Sequence, residues 1–288
     1  AAFDWRAIEQ RLSKLYNKSY GRPSYPLLQL FRILLLDYLH KIGSDVQLEK
    51  MLARDLLFRK FCGIGLDQHP PSHDTISRFR RELAAINLWE ALLEEVNNQL
   101  IANHLLIQEG QVSIMDATVV EAHQIKGSTK DKDADWSVKN NSRGKKTSTY
   151  GYKIHSNCDE DGFILKQTVT AGNEYDGNQR DALLTGKESQ LYADSGYDSA
   201  LKRDDLDKRG IDNRVQRKGC RHRPLNHEDH AWNRCVGVTR ARIEHQFAGY
   251  KERFGIKRTR FMGIDMNTTY AGLADIALRF KKGALVFA

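Results

Sequence analysis

Gln111-Val112-Ser113-Ile114-Met115-Asp116 is the stretch on which the fold turns. Before it, apolar residues recur at helical spacing; from it onward they come in short runs of strand type. The run closes on an acid, Asp116, and a later one, Gln190 to Ala193, closes on Asp194. A third acid, Glu244, lies inside the basic segment Thr239-Arg240-Ala241-Arg242-Ile243-Glu244-His245. Carboxylates gathered from separate elements repel one another unless a cation joins them. Hard oxygen ligands select hard divalent ions such as Mg²⁺ or Mn²⁺. Acids ringed by Lys and Arg therefore read as a metal site that works on phosphates.

Working outward, Tyr150 to Cys158 and Phe163 to Thr170 read as a hairpin around Asp159-Glu160-Asp161-Gly162. The polar, Lys-rich stretch Gly127 to Thr149 between it and the first strand reads as a loop. Helix Asn178 to Leu184, strand Gln190 to Asp194, helix Ser199 to Lys208 and strand Ile211 to Gln216 follow. The predicted fold class is α/β, a mixed five-stranded sheet flanked by helices. Strands one and four can be neighbours, which would set Asp116 beside Asp194. Asn233 to Phe254 reads as a helix, with Ile243, Phe247, Tyr250 and Phe254 as its packed stripe. Arg240, Glu244 and Lys251 gather on an adjoining face. A tail helix is expected over Thr268 to Lys281.

The first hundred residues read as all-helical. Asp4 is placed to cap a helix Trp5 to Tyr16, Gly21 to Ser24 is a break, and Pro26 starts a helix carrying Leu27, Leu30, Phe31, Leu34 and Leu35. Ser72 is placed to cap His73 to Leu83, where Ile76, Phe79 and Leu83 face one way and Arg78, Arg80 and Arg81 mostly the other. A capped helix with a basic outer face resembles a recognition helix for DNA, although such faces are also common as solvated surfaces. The expected domains are a helical DNA-binding domain, residues 1–105, and a catalytic domain, residues 106–288.

The chain has 288 residues, 40% hydrophobic and 28% charged, an ordinary balance for a soluble protein. No apolar run reaches the roughly 18 residues that span a membrane. The start, Ala1-Ala2-Phe3-Asp4-Trp5, lacks the pattern of a signal peptide. Four scattered cysteines, Cys62, Cys158, Cys220 and Cys235, form no disulfide framework, so a cytoplasmic setting is expected. Cys220, His222, His227, His230 and Cys235 are zinc-capable, but their spacing matches no familiar ligand pattern and a polar or DNA-facing insertion accounts for them better. The net charge of +8 is concentrated: Leu201 to Arg260 holds 17 Lys and Arg against 8 Asp and Glu. A second basic stretch runs from Lys126 to Lys153 through Arg143, Lys145 and Lys146. Such clustering favours a polyanionic partner.

Met115-Asp116-Ala117-Thr118, Ala193-Asp194-Ser195-Gly196-Tyr197 and Arg240-Ala241-Arg242-Ile243-Glu244-His245-Gln246-Phe247 resemble the three catalytic blocks of bacterial insertion-sequence transposases with an Asp-Asp-Glu site, most nearly the insertion-sequence-five family. The third block of that family reads Tyr, two residues, Arg, three residues, Glu, six residues, Lys. Arg240, Glu244 and Lys251 match, and Gly237 stands at the Tyr position. Gly151-Tyr152-Lys153-Ile154-His155 resembles its second-strand block, and Arg22-Pro23-Ser24-Tyr25 through Arg78 its preceding helical domain.

The resemblance implies a ribonuclease-H-like core and a transposase that binds terminal inverted repeats, cuts DNA there and joins the 3′-OH ends to target DNA. It implies that Asp116, Asp194 and Glu244 hold two Mg²⁺ (or Mn²⁺) ions, with no nucleotide cofactor. Arg240 and Lys251 would contact DNA phosphates, with Lys153, His155, Arg78 and Arg81 as further candidates. Double-stranded DNA is the expected partner, and a homodimer on DNA follows from handling two ends. Two other functions are compatible with such a core: a DNA-binding descendant without cutting activity, and a metal-dependent nuclease without strand transfer.

Overall fold

The computed structural model describes residues 3–15, 25–104, 111–123, 131–140, 146–220 and 222–286. The expected break at Gly21 to Ser24 lies outside these residues, as do Tyr16, Lys126, Arg143 and Lys145. Packing divides the chain into two compact units. One comprises residues 1–107, 253–255 and 265–288, the other residues 108–252 and 256–264.

The first unit is helical: α1 (Trp5–Leu12), α2 (Leu27–Leu39), α3 (Asp45–Arg54), α4 (Leu56–Cys62), α5 (His73–Ala85), α6 (Leu88–Ala102) and α10 (Ile264–Val286). The two expected caps form: Asp4 accepts from the Arg6 N–H and Ser72 from that of Thr75. Ser44, for which no cap was expected, accepts from the Gln47 N–H. Ile8, Leu12, Phe31, Leu34, Leu35, Leu48, Leu52 and Leu83 are fully buried. Helix α10 packs with this unit, although in sequence it follows the sheet unit. Phe280 stacks on Trp5 with ring centroids 5.0 Å apart, and the Tyr38 hydroxyl donates to the Tyr270 carbonyl at 3.0 Å. At Gly272 a Cβ would lie 2.1 Å from the Trp89 ring, so only glycine lets this helix approach so closely. Phe254, expected to pack on the sheet, instead meets the Tyr38 ring in this unit, centroids 6.4 Å apart.

Arg80 also departs from expectation. It is buried rather than turned to the basic outer face, while Arg78 and Arg81 are exposed. Its guanidinium donates to both Asp45 oxygens at 2.8 and 2.7 Å and lies 3.4 Å from Asp37. At helical spacing Arg80 falls one residue past the core position Phe79, near enough to the stripe for a facing acid to draw it inward.

The second unit holds β1 (Val112–Glu121), β2 (Asp135–Asn140), β3 (Lys146–Cys158), β4 (Ile164–Ala171), α7 (Arg180–Leu183), β5 (Gln190–Ala193), α8 (Ala200–Lys208), β6 (Asp212–Val215) and α9 (His227–Arg253). Among the described residues the sheet has six strands rather than five, in the order β2-β3-β1-β5-β6, with β4 also on β3. The extra strand is β2, inside the stretch read as a loop, and β3 begins four residues earlier than expected. β2 is short and carries Asp135, Lys139 and Asn140, the polar composition by which edge strands discourage aggregation and which makes them look like loops. β1 is antiparallel to β3 and parallel to β5, which is parallel to β6. Its almost continuous burial explains its apolar run. At the hairpin turn the Asp159 carboxylate accepts from the Asp161 and Phe163 N–H groups, and Gly162 has φ +76°.

Removing one member of a buried ion pair strands its partner's charge, at a cost of about 3–5 kcal/mol. Arg80→Ala is therefore expected to lower the stability of the helical unit by an amount of that order in denaturant unfolding. An unchanged midpoint would contradict this structural role for Arg80.

Candidate active site

Pairing of β1 with β5 brings the two aspartates together. Met115 is paired with Ala193, so Asp116 and Asp194 follow side by side on parallel neighbours. Asp116 lies within β1, which runs on to Glu121, rather than at its end; Asp194 lies just past the end of β5. Asp194 Oδ1 accepts from the Gly196 N–H at 2.8 Å, capping the turn Ser195–Tyr197.

Asp116 is largely buried, its side chain 17% exposed. Its Oδ1 accepts from the Ala117 N–H at 2.8 Å, and its Oδ2 from Arg240 Nη2 at 2.8 Å. Arg240, itself buried, reaches it from α9 and donates a second bond to Gln216 Oε1 at 3.0 Å. Burial raises the pKa of Asp116. Arg240, the Ala117 N–H and Lys139 act in the opposite direction, while the charge of Asp194 adds to the rise. Ile243, Phe247 and Tyr250 bury the inner stripe of α9, and the Tyr250 hydroxyl accepts from Gln167 on β4 at 3.3 Å.

Glu244 stands one helical turn after Arg240, its Oε1 4.0 Å from Arg240 Nη2. Its side chain is 62% exposed. The guanidinium thus lies between the two acids, close to Asp116 and distant from Glu244. Among the described residues no three His, Cys, Asp or Glu side chains stand close enough to share a metal ion. That holds for the Cys220–Cys235 stretch, where both cysteines are exposed, as well as for the acids. The donor chemistry nevertheless suits a hard divalent ion. The acids offer oxygen only, and Asp116 bears a desolvated charge that already draws a cationic group against it.

The other candidates fall in several places. Lys251 lies half-buried on α9, two turns past Glu244; burial lowers its pKa, followed by the charges of Lys139 and Lys257, with Asp116 opposing. Lys153 is held inward: its Nζ donates to Asp176 Oδ1 at 2.9 Å and to the Glu174 carbonyl at 2.6 Å. His155 is fully buried and shares a hydrogen bond of 2.8 Å with the Thr170 hydroxyl. Burial, aided by Lys153 and opposed by Asp176, pulls its pKa down to about 4. A neutral, buried imidazole offers DNA no contact, so the expectation for His155 is corrected. Its side chain is met by the segment that follows β4, where Asp176 Oδ1 lies 3.8 Å from His155 Nδ1. Arg78 and Arg81 are exposed on α5, in the helical unit. The sequence reading missed Gln216, which orients Arg240, and Tyr197. The Tyr197 hydroxyl is buried without a hydrogen-bond partner among the described residues, near enough to Asp176, Asp116 and Asp194 for their charges to raise its pKa after burial itself. Its place directly after Asp194-Ser195-Gly196 was the available signal.

Comparison with known proteins places this geometry in a family. Residues 107–279 match the transposase DDE domain, and residues 1–82 match a transposase domain (DUF772). The chain is 31% identical over 226 residues to the transposase for insertion sequence element IS1106 of Neisseria meningitidis serogroup B, covering 72% of this chain and 77% of that protein. Its fold is similar to that of piggyBac transposase in a synaptic complex with hairpin DNA, with a TM-score of 0.51 at 11% identity, over 95% of this chain and 69% of that one. The chain belongs to the DDE transposases of bacterial insertion sequences, enzymes of the nuclease and strand-transferase class, and its mixed sheet is the ribonuclease-H-like fold of that domain. Such domains generally use divalent metal ions.

A carboxyl whose pKa is raised on folding binds its proton more tightly in the folded state. It therefore favours folding at low pH, and that contribution is lost as pH rises through the raised value. Asp116→Asn is thus expected to melt at a higher temperature than the parent protein at neutral pH, with the gain shrinking as the buffer is acidified. A variant less stable at neutral pH would show that Arg240 outweighs desolvation.

Proposed function

We propose that this transposase binds the terminal inverted repeats of its element, cleaves DNA at the element ends and transfers the 3′-OH ends to target DNA. Asp116, Asp194 and Glu244 hold two Mg²⁺ (or Mn²⁺) ions, and no nucleotide cofactor takes part. The observation that carries this reading is the placement of Asp116 beside Asp194 on parallel strands, with Arg240 and Glu244 presented from one helix. Bound divalent ions supply an activated oxygen nucleophile and neutralise the leaving oxygen.

The protein's own residues set the stage. Asp116 and Asp194 are held by backbone N–H groups, which fixes one oxygen of each in place. Arg240 neutralises Asp116 in the resting site. Its planar fork would also suit a DNA phosphate beside the acids. Glu244, exposed and one turn away on α9, would complete the set of residues that hold the metal. Lys251, on the same helix, contacts the DNA backbone. The 3–4 residue spacing keeps Arg240 and Glu244 on one face, so a single helix delivers both the cation and the third acid.

In the helical unit, Arg78 and Arg81 make DNA contacts from α5, whose exposed basic side is their support. We assign residues 1–105 to end binding and the sheet unit to catalysis. A homodimer on double-stranded DNA handles the two ends in the cytoplasm. Membership of the insertion-sequence-five group rests on the spacing of Arg240, Glu244 and Lys251, with Gly237 where the group has Tyr. Among the described residues no helix is long and apolar enough to cross a membrane.

The deciding experiment incubates purified protein with a labelled inverted-repeat end and a target plasmid, in Mg²⁺ or in EDTA. Joining of the end to plasmid in Mg²⁺ alone is expected. Asp116→Asn, Asp194→Asn and Glu244→Gln should each reduce cutting and joining to background while retaining end binding. Cutting that survives in all three would remove the acids from the active site. Clean cutting without joining would recast the protein as a nuclease.

A further inference from the structure

The two-stranded flap of β2 and the first half of β3 has no part in the reading above. Ser137 pairs with Thr149 and Lys139 with Thr147, so alternate residues of the two strands share one face. That face borders a pocket of about 380 Å³, completed by Lys251 of α9, Lys257 and Glu121. Gly151 marks the base of the flap. A Cβ there would lie 2.0 Å from the Val120 carbonyl oxygen, so the chain crosses β1 at this point with room only for glycine.

The pocket brings three ammonium groups together. Lys257 is bonded to Glu252 at 2.7 Å, and both are exposed. Glu121, the one acid lining the pocket, has its carboxylate 4.0 Å from Arg258. Among the described residues neither Lys139 nor Lys251 has a carboxylate within ion-pair distance. Lys139 and Lys257 both depress the pKa of the half-buried Lys251, and Lys139 acts in the same direction on Asp116. Three like charges around one pocket are unfavourable without an anion, and the Thr149 hydroxyl adds a neutral donor. The Thr147 hydroxyl donates to the Lys139 carbonyl at 3.2 Å, so the lysine ammonium groups and the Thr149 hydroxyl are the donors that suit a phosphate oxygen.

We propose that this pocket seats a phosphate of the DNA strand next to the one at the acid pair, with Lys139 on the flap and Lys257 as its clamp. The proposal rests on the DNA-cleaving function assigned above and adds a site to it. A DNA phosphate is favoured over a free anion because the pocket is walled by Val119, three residues after Asp116 on β1, and by Lys251, on the helix that carries Arg240 and Glu244, and because Lys139 and Lys257 are exposed, as a passing strand requires.

The test is a fluorescence-anisotropy titration of the full chain with a short labelled duplex over a range of salt, beside the end-joining assay. Each phosphate contact contributes about 0.9 to the slope of log affinity against log salt. Lys139→Ala should therefore flatten the slope by about 0.9, and Lys139→Ala with Lys257→Ala by about 1.8, while Lys139→Arg preserves it. An unchanged slope in the double variant, with Mg²⁺-dependent joining intact in the parent, would overturn the pocket and leave the transposition reading standing. Binding of inorganic phosphate that the double variant loses, with the DNA slope unchanged, would make this a free-anion site and equally overturn the proposal. A parent protein with no salt-dependent DNA binding would sink both readings.

Discussion

A carboxylate in the middle of a buried strand must find positive charge, and Asp116 finds it in Arg240. The arrangement of the catalytic unit follows from this need. β1 is apolar on both faces because it runs through the centre of the sheet, and an ionised group there bears a desolvation cost that burial of neighbouring leucines cannot offset. The guanidinium that meets it comes from α9, so helix and sheet are joined by charge at the same place where Ile243, Phe247 and Tyr250 join them by packing. Gln216, just past β6, fixes the guanidinium from the other side. A site built in this way is pre-charged for a cation. The ion pair with Arg240 answers that carboxylate from within the chain itself.

This arrangement also gives a physical reason for placing Arg four residues before Glu on one helix. The pair can exchange partners without unfolding, because both side chains are long and share a face. With Arg240 on Asp116, Glu244 remains largely in solvent. The Tyr197 hydroxyl, buried near the aspartates without a hydrogen-bond partner among the described residues, adds polarity without adding charge.

Much of this was legible in the sequence, and the parts that were not share a cause. The strands carrying Asp116 and Asp194, the Asp159 turn and the caps Asp4 and Ser72 are local signals, written within a few residues of where they act. The register that sets Met115 against Ala193 followed from strand order. What could not be read was identity of partner. Arg80 and Arg81 are adjacent and chemically identical, yet one is buried against Asp37 and Asp45 and the other is exposed, because burial depends on an acid some 35 residues away in the chain. His155 is polar and lies beside Lys153 in sequence, yet it is fully buried with Asp176, 21 residues on, near its ring. β2 is polar enough to pass for a loop, and only its pairing with β3 makes it a strand. The third acid's position on a face was legible, but not that a guanidinium would stand between it and the first.

The membership of α10 in the helical unit has a consequence for how the chain is made. The catalytic unit is an insertion: helices α1 to α6 precede it and the helix that completes their core follows it. On a ribosome adding about 5–20 residues per second, the roughly 160 residues between α6 and α10 take on the order of 10–30 s to appear. Through that interval Trp5, Tyr38 and Trp89 await the helix that covers them, and the sheet has time to fold first. The order of maturation is thereby inverted. The catalytic unit, second in the sequence, can be finished before the helical unit that precedes it, so exposed aromatic surface in the nascent chain belongs to the part synthesised earliest.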